Sequence, residues 1–178
     1  MATAVVAFSQ LANELEEQGL TQANGERIAA ELAKTFSVQS DEVAVLKLEK
    51  TNLIFIYPSK LQNVGSIPLN NSASVAARTA VTKRAEIINN FSQTKHASVF
   101  ESVPLTAKKS NPEMKSAGGK VHVIQKLMTV PVVSPAGVQG VIQISRKGEN
   151  APAAGADFTP VDLQKLVAIA ASLAKCFK

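Results

Sequence analysis

A single cysteine, Cys176, stands near the end of this 178-residue chain, so no disulfide can form within it. That excludes the exported, disulfide-stapled class of small scaffold. Tryptophan is absent, tyrosine occurs once and arginine four times. Nucleic-acid surfaces interleave stacking aromatics or many arginines, so no nucleic-acid partner is expected. No apolar run approaches the roughly 18 residues of a membrane span, and no membrane partner is expected either. Met1 to Phe8 is apolar, but it lacks a basic leader and soon meets Glu14, Glu16 and Glu17. That argues against a signal peptide and makes the cytoplasm the expected compartment. The two histidines, His96 and His122, have no neighbouring ligand at metal spacing, so no metal site is expected. Gly118-Gly119-Lys120 lacks the first glycine of a phosphate-binding loop and the Ser or Thr that follows its lysine, and reads as a flexible turn.

What is present suits one domain with a sizeable core: 46% apolar and 19% charged residues. We take residues 1–37 as a helical lead-in and 38–178 as the sheet core with its final helix, together one domain. The net charge of +5 is uneven. The first helical region is acidic, while Lys108, Lys109, Lys115, Lys120 and Lys126 cluster between Thr106 and Leu127. Such a cluster suits an anionic partner, but its richness in turn formers favours a solvated loop.

Phe8, Leu11 and Leu15 share a helix face, and Gly19 is placed to end that helix. Thr21 caps a second helix with Ile28, Leu32 and Phe36 on one face and Ala29 and Ala33 beside it. The small alanines suit either a dimer seam or packing on the chain's own sheet. Glu42 to Lys50 alternates as a strand, and Leu53 to Tyr57 reads as a central strand covered on both faces. Ser72 is placed to cap a helix containing Val75, Thr79 and Val81. Ala85 to Phe91 reads as a short strand, and His96 to Val103 as a helical turn or two. Val121 to Val133 and Val138 to Ser145 form a hairpin about Ser134-Pro135-Ala136-Gly137. The last helix is the best signalled, with Thr159 as N-cap, Pro160 first in the helix and Asp162 at the capping-box position. Strands cluster in hairpins with helices at both ends. The expected class is α+β, an antiparallel sheet with the terminal helices on one face and loops or short helices on the other.

The run of strand, glycine-containing turn, Gly140-Val141-Ile142-Gln143-Ile144, polar loop, Phe158-Thr159-Pro160-Val161-Asp162 and helix resembles the end of a GAF domain. Ile67-Pro68 and Ile87-Ile88-Asn89-Asn90 are similar to the family's middle section, and the likeness extends from Val38 to Phe177. The related PAS fold is the nearest alternative. The resemblance implies a small-molecule pocket on the sheet's far face, framed by Tyr57, Arg78, Phe91, His96 and Phe100. It also implies a homodimer through the terminal helices. Cyclic-nucleotide-binding members carry Asn-Lys, a gap, then Phe-x-x-x-Asp-Glu. Here Arg146-Lys147 stands where Asn-Lys would be, Phe158 and Asp162 match, and Leu163 replaces the Glu. Arg146 and Leu163 are departures at two of five positions, which argues against cyclic nucleotides. Instead, Lys147 paired with Asp162 would clamp the loop to the last helix, worth about 0–1 kcal/mol if exposed.

The implied function is a non-enzymatic, small-molecule-binding sensor that signals as a dimer to a separate effector protein. No cofactor is identified. An enzyme is not expected, because the free methionine sulfoxide reductases of the family use several pocket cysteines. Cys176 alone, on the final helix, reads as a small apolar residue in a helix seam. The alternatives are a protein-interaction module whose pocket is filled by its own side chains and, further off, an enzyme of unrecognised chemistry.

Overall fold

A computed structural model describes residues 2–63, 65–93 and 123–178. Helix α1 (Ala2–Leu15) stops where Gly19 turns to φ 70° and its N–H returns to the Leu15 carbonyl at 2.9 Å. The positive φ explains why glycine stands there. Helix α2 (Gln22–Phe36) starts at Thr21, whose hydroxyl accepts the N–H of Asn24 at 3.2 Å. Strands β1 (Val43–Glu49) and β2 (Asn52–Tyr57) form a hairpin, and β3 (Ile67–Pro68) pairs with β2. Helix α3 (Val75–Thr82) precedes β4 (Glu86–Ile88). The long hairpin of β5 (Val123–Ser134) and β6 (Gly137–Gly148) turns on Pro135-Ala136, with Gly137 at φ 120°. Helix α4 (Pro160–Leu173) runs into a 3-10 turn, Ala174–Phe177.

The six strands make one curled antiparallel sheet in the order β3-β2-β1-β6-β5-β4. One face lies under α1, α2 and α4. There Phe8, Ile28, Leu32, Leu166, Leu173 and Phe177 meet Val43, Val45, Val130 and Ile142 in a continuous buried cluster. The opposite, far face carries α3: Val75, Ala76 and Ala80 close over Ala44, Leu46, Leu53, Phe55 and Val141. Both faces of β1 and β6 are therefore buried, while their ends are fastened by a carboxylate. Buried Glu42 accepts the backbone N–H of Gln39 at 2.7 Å and of Lys147 at 2.6 Å.

The architecture is α+β, with the terminal helices on one face as the pattern implied. Three details differ from the sequence reading. The strand Leu53 to Tyr57 is not central: β2 lies beside the two-residue edge strand β3, and Ile54 is only partly buried. The cap of α3 is Ser74 rather than Ser72, with its hydroxyl accepting the N–H of Ala77. Asn71 intervenes by receiving the N–H of Ala73 in an Asx turn, which postpones the helix by two residues. Lys126 is not solvated: it is 5% exposed, with Nζ 2.7 Å from Asp157 Oδ1. The rest of the lysine cluster, the turn from His96 to Val103, His122 and Gly118-Gly119-Lys120 lie outside the described residues.

Candidate functional site

The far face is apolar around α3 except at one place. Thr79 on α3, Thr129 on β5 and Gln143 on β6 meet there, with both threonines fully buried and Gln143 7% exposed. Thr79 Oγ1 donates to the Val75 carbonyl at 2.8 Å, so its single proton is spent within the helix. The 2.9 Å contact between the two threonine hydroxyls therefore carries the proton of Thr129. Thr129 in turn accepts from Gln143 Nε2 at 3.4 Å. The reverse amide orientation would leave one of the two Thr129 contacts, to Thr79 or to Gln143, without a proton, so the network itself orients Gln143.

This directed chain, Gln143 to Thr129 to Thr79 to Val75, uses every hydroxyl once as donor and once as acceptor. Its open end is the Gln143 carboxamide oxygen, which has no hydrogen-bond partner among the described residues and is not closed off from solvent. A nearly buried amide with an unused acceptor is poised to receive a donor from a bound molecule. Nothing in the local sequence signals this role. Gln143 sits in an alternating strand, and Thr79 and Thr129 are 50 residues apart.

Of the residues named from the family resemblance, three are described, and Tyr57 lies apart from Arg78 and Phe91. Tyr57 packs against the terminal-helix cluster, and its hydroxyl donates to the Ser40 carbonyl at 3.0 Å. Burial holds its phenol above the ordinary tyrosine range. Its displacement has a clear cause: the β1–β2 register slips between Val45 and Leu46, so both Ile56 and Tyr57 turn to the helix face after Phe55 faces away. A bulge reverses the alternation from that point on. Arg78 lies on α3 and forms a two-point ion pair with Glu86 of β4, at 3.1 and 3.0 Å. Phe91 is on the far face but buried to 2% within its apolar cluster. His96 and Phe100 lie outside the described residues.

At the opposite corner, both Asp162 contacts run to the N-cap: its Oδ2 accepts the backbone N–H of Thr159 at 2.8 Å and the Thr159 hydroxyl at 3.0 Å. Lys147 donates its backbone N–H to Glu42. Arg146, where the nucleotide-binding motif has asparagine, lays its guanidinium over the Phe158 ring at 4.9 Å.

Cys176 is buried, with its thiol directed to the Ala12 carbonyl at 3.4 Å. Burial pushes the thiol above the ordinary cysteine range. A raised folded-state value means that the neutral thiol contributes stability below the ordinary thiol pKa, and that this contribution is lost as the pH rises toward the folded value. Cys176 is accordingly expected to resist iodoacetamide at pH 8 in the folded protein and to react promptly in urea. Equal rates in the two states would refute its burial in the helix seam.

No protein-family model and no curated protein sequence matches this chain. Solved structures do. The GAF domain of an Acinetobacter phosphoenolpyruvate-protein phosphotransferase superposes with a TM-score of 0.64 at 12% identity, covering 97% of this chain and 92% of its own. Residues 122 to 287 of a methyl-accepting chemotaxis protein give 0.59 at 12% identity, covering 93% of each chain. The fRMsr of Staphylococcus aureus, solved reduced and in complex with substrate, gives 0.57 at 18% identity, covering 98% and 95%. This last structure corrects the expectation that the chain is not an enzyme. fRMsr is an enzyme on the same architecture, so the fold gives no ground for excluding activity. Across nearly the whole chain, the sheet order and the placement of the helices are those of these domains: this chain has a GAF-like fold.

Proposed function

We propose that this chain is a small-molecule-binding sensor domain that acts as a dimer. The observation that carries this reading is the open end of the Gln143–Thr129–Thr79 chain on the far face. A sheet face meant only for packing would gain nothing from a polar cluster whose last amide oxygen keeps a free acceptor within reach of solvent. The ligand is a small polar metabolite that donates a hydrogen bond to Gln143. Neighbours of the same fold include a domain of a phosphotransferase and part of a chemotaxis protein, which agrees with a regulatory role.

Ligand binding orders the far face, and the terminal helices carry the change to a separate effector protein. Helices α1 and α4 suit a dimer seam. Their exposed faces include Val6, Ala7 and Gln10 on one, and Val161, Val167 and Ala171 on the other, all uncharged. Native mass spectrometry of protein purified gently from its expression host tests both parts together. A dimer with retained extra mass is the expected result. A monomer that stays empty and unresponsive to a metabolite panel would overturn the proposal.

One observation favours a second reading. Phe91 is buried in the far-face cluster, where it fills space instead of lining an opening. A dimer with no bound mass, and no thermal response to any metabolite, would identify an interaction module with a self-filled pocket. Replacing Gln143 with leucine separates the two. It removes the unpaired amide, so the sensor reading expects the fold to survive and any ligand-induced rise in melting temperature to vanish. The interaction-module reading expects unchanged or higher stability and no lost response.

A further inference from the structure

The terminal-helix side of the sheet holds a second polar site, away from the far face and independent of the sensor proposal. Lys126 of β5 and Arg146 of β6 are paired across the two strands, next to a register irregularity between Ile124 and Lys126. Both cations reach the loop before α4 and meet at Gly155. Lys126 Nζ donates to the Gly155 carbonyl at 2.5 Å, and Arg146 Nη1 lies 3.2 Å from where a Gly155 Cβ would stand. Gly155 itself adopts φ 102°, a conformation that other residues rarely take.

Two features of this corner are unbalanced. Among the described residues, Asp157 is the only carboxylate within ion-pair distance of either cation, and it bonds only Lys126. Arg146 Nε is also the one buried side-chain nitrogen or oxygen among the described residues that lacks a hydrogen-bond partner. The Phe158 ring satisfies one face of the guanidinium but accepts none of its in-plane N–H groups. Arg146 as a residue is only partly buried, but its Nε is closed off from solvent, and a closed-off N–H without an acceptor costs free energy until something supplies one.

We infer that Arg146 and Lys126, with the loop around Gly155, form a binding site for a small oxyanion. The planar fork of Arg146 takes a phosphate or carboxylate through two parallel N–H···O bonds, and Lys126 supplies the second positive charge. Asp157 occupies the lysine in the unliganded chain and competes with the incoming anion.

The test is a titration of the wild-type chain with inorganic phosphate and, separately, acetate, against sodium chloride at matched ionic strength. The readout is the arginine Nε–Hε NMR signal, of which the chain has four. Arg146→Lys keeps the charge and much of the apolar stem, and assigns the Arg146 signal by its loss. A saturable shift of that signal alone, with phosphate, acetate or both, is the expected result, and the pattern names the oxyanion. Asp157→Asn removes the competitor and should tighten binding by about 1.5-fold to fivefold, the range of an exposed ion pair. No saturable shift with either oxyanion overturns the site. So does a parallel drift of all four signals, which would be screening only. The wild-type titration decides the matter even if a variant folds poorly.

Discussion

Replacing Gly140 with alanine is expected to destabilise the protein by about 3 kcal/mol or more, at the upper end of overpacking effects. Gly140 lies on β6, opposite Lys47 of β1 at the centre of the sheet. A Cβ there would stand 2.1 Å from the Leu46 carbonyl oxygen and 2.8 Å from two carbons of the Phe177 ring. The ring can rotate away, but the carbonyl moves only if β1 and β6 part. The same change at Gly25 is a useful control, because its Cβ would meet the Ile56 Cγ2 methyl at 2.5 Å, a side-chain atom that can shift. It also gains about 1 kcal/mol of helix propensity, so its net cost should be much smaller. Urea denaturation checks both. A Gly140→Ala midpoint close to the wild type, with an unchanged slope, would show that the two strands are more loosely paired than described.

Truncating Phe177 to alanine is expected to cost about 3–5 kcal/mol, as for other fully buried phenylalanines. Phe177 is 1% exposed and sits in the terminal-helix cluster, where its ring fills the hollow over Gly140. It is therefore the wedge that seats the end of α4 on the sheet. Because the two positions touch, their effects should not add. In the Gly140→Ala background the loss at Phe177 should be smaller, since part of the ring's packing has already gone. Additive costs would mean that the ring and the glycine do not share one site.

The elements the sequence made legible are those encoded by near neighbours. Thr21 and Thr159 cap their helices, and Asp162 closes the capping box, because each bond spans only three residues. The β5–β6 hairpin is equally local: Pro135-Ala136 and a positive-φ glycine set its register. The four-residue spacing of Ile28, Leu32 and Phe36 marks the buried face of α2 without reference to anything else.

The placement of polar side chains lies beyond such local signals, for the same physical reason. Whether Tyr57 faces the helices or α3 depends on one bulge, and no residue type at Ile56 announces it. Strand alternation dictates that neighbours alternate, but a bulge decides from where the alternation is counted. The polar chain of Thr79, Thr129 and Gln143 draws on a helix and two strands brought together by the sheet order. Arg146 stands out in the sequence as a departure from a motif. Only the folding of the loop, which brings Gly155 and Phe158 over it, leaves its Nε buried and unpaired. Local periodicity and capping chemistry are thus enough to specify the helices, the hairpins and the α+β class. The meeting of polar groups distant in sequence is a property of strand order and register, which arise from packing many weak preferences at once.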